Sequence, residues 1–290
     1  MPRTRLLLRA AAWLALTFIA GVVLIGSAAF LYLSPDLPSV DVLRDVQLQT
    51  PLRVYSHDGQ LLGEFGEQRR TPISYAQLPP QFVNAVLAAE DDRFYKHHGV
   101  DFTGLLRAAS QLLVSGRIQT GGSTITMQVA KNYFLSHERT FARKFNEILL
   151  AIQIERELSK QDILELYLNK IFLGNRAYGV EAAAHVYYDK SITELNLAQW
   201  AMIAGLPKAP SAYNPLANPE RALIRRNWIL GRMLSLGYID DASYQQAVAA
   251  PVTASYYGPT LSLDAPYVAE MVRQEMVQRF GTEAYTRGYR

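Results

Sequence analysis

From Pro79 to about Met233, apolar residues recur at three- and four-residue steps, the period of helices that bury one face. Helix starts are marked by Pro79-Pro80 and by Ser159 before KQDILELYLN, and stops by Gly99, Gly174 and Gly237. One stretch breaks the pattern: RVYSHDGQLLGEFG, Arg53 to Gly66, alternates around Asp58-Gly59 and predicts a short hairpin, the one sizeable β element expected. The tail from Asp264 to Arg290 reads as one more amphipathic helix followed by TRGYR. The expected fold is mainly α with a small β-hairpin.

Ahead of this region, residues 10–33 are an uncharged apolar run of 24 residues, which as a helix exceeds the roughly 30 Å of a bilayer's hydrocarbon. Arg3, Arg5 and Arg9 precede it and no basic cluster follows closely. The positive-inside rule therefore puts residues 1–9 in the cytoplasm as a tail and everything after 33 outside. A cleaved signal peptide ending near Ser27-Ala28-Ala29 is the rival reading; the length of the run favours a transmembrane anchor. Residues 34–50, opening with the proline-marked SPDLPSVD, read as a linker.

With 49% hydrophobic and 19% charged residues over 290 positions, the chain can build one large or two modest cores. Its net charge of +3 is small and dispersed, with no lysine-arginine run of the nucleic-acid type, so nucleic acid is not an expected partner. The absence of cysteine excludes disulfides, thiolate chemistry and cysteine zinc sites.

Against this background AVLAAEDDRFYKHHG, Ala85 to Gly99, is unusual. Glu90 falls on the apolar stripe of Val83, Val86, Leu87 and Phe94, with His97 one period on, while Asp91 and Asp92 point elsewhere. Burying a carboxylate is costly and raises its pKa, so a carboxylate on a buried stripe is either used or satisfied by a nearby base. The acids and imidazoles here match neither a zinc-protease helix nor an EF-hand loop.

Four more segments carry candidate chemistry. In QTGGSTITMQVAKN paired glycines and the hydroxyls of Ser123 and Thr124 precede a helix bearing Gln128 and Lys131. That pattern suits phosphate or sugar oxygens, but taken alone it reads first as ordinary loop and helix-cap chemistry. In RTFARKFNEILLAIQIERELSK the core face is expected to hold Phe141, Phe145, Ile148, Leu149 and Ile152; Glu147, near Arg143 and Lys144, taken singly reads as a surface ion pair. Glu165, Tyr167 and Asn169 lie on a helix where structural roles are expected, and Lys208 sits between prolines in a stiffened loop.

EDDRFYKHHG, GGSTITMQVAKN, RKFNE, ILELYLNKIFLGNRAYGVEAA and LPKAPSAYNP resemble, in order and spacing, the five motifs of the family 51 peptidoglycan glycosyltransferases, the polymerase domain of class A penicillin-binding proteins. The resemblance covers about Pro51 to Asn218, with one departure, Met127, where many members carry the first glutamine of a pair.

The resemblance implies a lysozyme-like, two-lobed domain over residues 51–250 that joins lipid II units with inversion and loss of undecaprenyl pyrophosphate. By motif position Glu90 would be the general base and Glu147 an assistant at the donor site. Lys131, Arg143, Lys144 and Lys208 would meet the pyrophosphate, and Ser123, Thr124, Gln128 and Asn169 would contact substrate. The segment Phe102 to Gly116 would dip into the bilayer; on periodicity alone it is equally an ordinary core helix. Mg²⁺ or Mn²⁺ bridging the pyrophosphate is an open expectation, with no dedicated cage in the sequence. The implied partners are lipid II, the growing lipid-linked glycan, the bilayer and other cell-wall synthesis proteins, and the implied place is the inner membrane with the catalytic domain outside. No serine has a lysine three residues on and no K-T-G is present, so cross-linking activity is not expected from these residues, and 251–290 reads as a linker helix toward a second domain of a longer protein. Two rival functions are a lysozyme-type glycan-cleaving enzyme and a catalytically silent membrane scaffold.

Overall fold

The computed structural model describes residues 37–44, 46, 48, 51–66, 68–115, 122–135, 140–258 and 265–285, together with seven positions of the apolar N-terminal run, 13, 14, 16, 17, 20, 21 and 24. Those seven are helical; the expected anchor 10–33 as a whole lies outside the described residues, among which no helix is long and apolar enough to cross a membrane.

The hairpin forms where the alternation places it. Strands β1 (Leu52–Tyr55) and β2 (Leu61–Phe65) pair antiparallel, Leu52 opposite Phe65 and Val54 opposite Gly63, with an irregularity between Val54 and Tyr55. Gly59 closes the turn at φ 82°, a conformation its lack of Cβ makes cheap. Val54 and Leu62 form a small separate core with Ala269 of the last helix, Pro266–Phe280.

Among the described residues between the hairpin and the last helix, the regular elements are helices. Helix α1 (Pro80–Glu90) begins at the paired prolines, α2 spans Phe102–Ser115, α3 Ile125–Phe134, α4 Phe141–Glu157 and α5 Lys160–Lys170. Then come α6 (Val180–Tyr188), α7 (Leu197–Gly205), α8 (Pro219–Ser235), α9 (Asp241–Ala249) and α10 (Pro266–Phe280). The main core joins α1 to α7 and α8 on one side, and α3 to α4 and α5 on the other. Ser159 caps α5 through a capping box with Asp162, as its position predicts.

Five expectations need correcting. The first helix does not run to Gly99: it ends at Glu90, and Phe94 and His97 reach the core from a 3-10 turn over Phe94–Lys96. Asp91, expected to point away, is buried. On α4 Leu149 is buried as expected and the side chain of Phe141 lies outside the described residues, but the most deeply buried stripe is Leu150, Ala151 and Ile154 with Glu147, while Phe145, Ile148 and Ile152 are only half-buried. Nor is 34–50 simply a tether, because Val40 and Leu43 enter the main core and Arg44 pairs with Glu157 at 2.9 Å. The ordinary core-helix reading of α2 also fails at the side chains described, since Phe102 and Leu106 are 67% and 72% exposed.

Candidate active site

The site starts with the abrupt end of α1. Val83, Val86 and Leu87 bury the helix's apolar face, and Glu90, its last residue, leaves only 12% of its side chain exposed. The next residue holds the turn. Asp91 accepts hydrogen bonds from His97 Nε2 at 3.0 and 3.1 Å and from the Ile125 N–H at 3.0 Å, tying the end of α1 to the start of α3. A carboxylate at that helix start is also favoured by the helix dipole.

Thr124 caps α3, accepting from the Met127 N–H at 3.1 Å and donating to the Gly99 carbonyl at 2.6 Å. Gly99 has φ 86°, and a Cβ there would lie 2.6 Å from the Ala151 carbonyl oxygen, so only glycine lets this loop press against α4. Of the two readings of GGST, the capped helix start is what Thr124 adopts; its hydroxyl is spent and 2% exposed. Met127, the departure from the family pattern, is fully buried.

Helix α3 thereby aims Gln128 at Glu90. The Gln128 amide donates to Glu90 Oε2 at 2.9 Å, and its carbonyl oxygen lies 3.4 Å from the donating hydroxyl of buried Tyr167 on α5. From α8, Arg225 Nη2 stands 3.8 Å from Glu90 Oε1. Burial holds the Glu90 carboxyl above the usual glutamate range; the Gln128 bond and the charges of Arg225, Lys208 and Lys131 pull the other way without cancelling it.

A second carboxylate lies on α4. Glu147 is 2% exposed, and each of its oxygens meets a cation from the preceding turn: Lys144 Nζ at 2.7 Å and Arg143 Nη1 at 3.4 Å. Lys144 also donates to Ser123 Oγ at 3.3 Å, one residue before the cap of α3. The carboxylate is thus buried, against the surface pair its spacing suggests, while its partner Lys144 keeps 44% of its side chain exposed. The helix rotation that buries Leu150 and Ile154 also brings Glu147 inward.

The predicted residues thus fall into two groups joined by the start of α3: Glu90, Gln128, Lys131 and Lys208 in one, Glu147, Arg143, Lys144 and Ser123 in the other. Asn169 joins neither. Its amide clasps the Ile73 backbone, accepting at 2.9 Å and donating at 2.8 Å, and it lines a separate cavity of about 600 Å³ with Leu43, Pro72 and Leu166. Among the described residues no group of three or more histidine, aspartate or glutamate side chains is arranged to hold a metal ion.

Sequence reasoning missed Arg225 and the part Tyr167 plays. The signal was present for the first: Ala222, Arg225, Arg226, Ile229, Leu230 and Met233 form one buried stripe of α8, so two arginines sit where apolar residues belong.

The family profile described as Transglycosylase matches residues 58–234, which takes in both carboxylates and all four expected cations. This chain belongs to the transglycosylase family. Within that family it is 66% identical to penicillin-binding protein 1A of Pseudomonas aeruginosa over 96% of this chain and 34% of that one. It is 54% identical to penicillin-binding protein 1A of Escherichia coli over 89% of this chain and 30% of that protein. The transglycosylase chain therefore spans about a third of the length of these curated relatives. A 2.6 Å crystal structure of penicillin-binding protein 1A from Haemophilus influenzae aligns at 38% identity and TM-score 0.48, covering 83% of this chain and 26% of that one.

Proposed function

We propose that this transglycosylase domain polymerises lipid II into glycan strands by inverting glycosyl transfer. The C4 hydroxyl oxygen of the acceptor attacks the anomeric carbon of the donor as Glu90 takes the hydroxyl proton. The bond from that carbon to the pyrophosphate oxygen breaks, and undecaprenyl pyrophosphate leaves with the electron pair. The observation that carries the reading is the state of Glu90: a carboxylate largely out of water, with a raised pKa and basic side chains nearby that leave it unneutralised. A base poised in this way is better matched to neutral pH than an exposed glutamate.

The second cluster suits the leaving group. Glu147 holds Arg143 and Lys144 in place, and Lys144 with Ser123 meets pyrophosphate oxygens as their charge grows. Lys131 and Lys208 complete the cationic lining, while Thr124 and Asn169 serve as scaffold. Mg²⁺ or Mn²⁺, where one takes part, would rest on substrate oxygens, because Asp91 is engaged by His97 and Ile125 and Asp92 by Arg232.

The finer architecture belongs to the same proposal: a lysozyme-like, two-lobed catalytic unit over 51–250, residues 251–290 as a linker, and a single anchor in the inner membrane with its N-terminus cytoplasmic. Helical Trp13, Leu14, Leu16 and Leu24 are all exposed, as lipid-facing residues would be. Exposed Phe102 and Leu106 on α2 suit a helix that enters the bilayer beside the substrate's polyprenyl tail.

Incubation with lipid II and, separately, with preformed glycan tests this. Product that lengthens from lipid II supports it. Shortened glycan alone would establish a cleaving enzyme, and no change in either substrate would leave a scaffold.

A further inference from the structure

We propose that Arg225 is a positioning residue for Glu90, fixing from α8 the carboxylate oxygen that Gln128 does not hold. This rests on the reading of Glu90 as the base. Gln128 takes Oε2 at 2.9 Å, so Oε1 would swing unless something faced it, and Arg225 Nη2 faces it at 3.8 Å.

The fold builds a slot for this guanidinium. Arg225 is only 6% exposed, lies 4.4 Å from the Trp228 ring centroid and 5.9 Å from that of Tyr213, and donates to the Ala89 carbonyl at 3.3 Å. Its stem runs past the last residue of α7, Gly205, where a Cβ would sit 3.0 Å from Arg225 Cγ. The Nε is buried without a hydrogen-bond partner among the described residues, so the guanidinium is held by its terminal nitrogen and its ring contacts. The adjacent Arg226 shows the contrast: its two terminal nitrogens donate to the Ala250 and Val248 carbonyls at 2.7 and 2.9 Å, tying down the end of α9.

The other groups acting on Glu90 are Lys131 and Gln128 of α3, Tyr167 of α5 and Lys208 of the turn after α7. Helix α7 itself, also packed on α1, brings no ionisable side chain. Arg225 is thus the one cation within 4 Å of the Glu90 carboxylate among the described residues.

The test is a ¹³C NMR titration of the Glu90 carboxyl in the full chain, its signal assigned by its loss in Glu90→Gln, alongside the pH dependence of lipid II turnover. Arg225→Met is expected to move the Glu90 midpoint up by about one pH unit, because an opposite charge at that range favours the ionised form. The acidic limb of turnover should move with it, and Arg225→Lys should restore part of the shift. Trp228→Leu, at a half-exposed ring, should give a smaller upward shift by loosening the guanidinium, and it decides the matter if Arg225→Met does not fold. A Glu90 midpoint unmoved in the variants that fold overturns the proposal. A wild-type chain that turns over no lipid II would defeat the functional reading instead, while the titration would still report on the pair.

Discussion

Two buried glutamates, one at the end of α1 and one in the middle of α4, are held in opposite ways. Glu147 has a cation on each oxygen, both from its own helix one turn back. Glu90 has a neutral amide on one oxygen and a cation 3.8 Å from the other, and every group facing it comes from outside its own helix. Desolvation without a close cation on both oxygens leaves a carboxylate basic, and that is how Glu90 is held. Under the proposed mechanism, Glu147 is the partner of Arg143 and Lys144, and Glu90 is the base.

The largest expected effect that could break this contrast is on turnover. Glu90→Gln should cut lipid II polymerisation by about 10²- to 10⁴-fold, the usual worth of a positioned base, with the helical circular dichroism spectrum unchanged. Next in size is the neighbouring Asp91, whose carboxylate is buried but fully hydrogen-bonded. Asp91→Ala strands His97 and the Ile125 N–H, and urea unfolding should show a loss of about 1–3 kcal/mol for each buried donor left without a partner.

Stability against pH sharpens the contrast further. Below the ordinary glutamate value of 4.5 the Glu90 carboxyl is neutral in the folded and unfolded chain alike, so it adds no cost. As pH rises the unfolded chain releases this proton first, and wild type loses stability relative to Glu90→Gln until the raised folded pKa is passed. At pH 8 the Glu90→Gln variant should therefore melt at or above wild type, while Glu147→Gln, which weakens two charge-assisted contacts, should melt below it by the equivalent of about 1–3 kcal/mol. The smallest effect calibrates the rest: Glu275→Gln, in a pair with Arg279 whose side chains are 56% and 65% exposed, should change stability by about 0.3–0.5 kcal/mol.

Much of this was legible in the sequence, and the misses have physical causes. Period and capping chemistry placed the hairpin around Asp58-Gly59 and the starts of α1 and α5, because those signals are local. Glu90 stood out because a charge on an apolar stripe needs a reason. Glu147 read as a surface pair because spacing along a helix says nothing of which face the rest of the chain covers; α3 packing on α4 decided that. Asp91 and Arg225 depend on partners 34 and 135 residues away, Ile125 and Glu90, which no short-range pattern encodes. The two arginines on the buried stripe of α8 carried the same signal as Glu90.

The most direct test of Glu90 as a water-shielded proton acceptor is the rate of lipid II polymerisation against pH for wild type and Glu90→Gln. Wild type should show an acidic limb with its midpoint above the ordinary glutamate value of 4.5, and the residual activity of the variant should show none. A Glu90→Gln chain that polymerises at the wild-type rate, or keeps the same limb, would contradict that role.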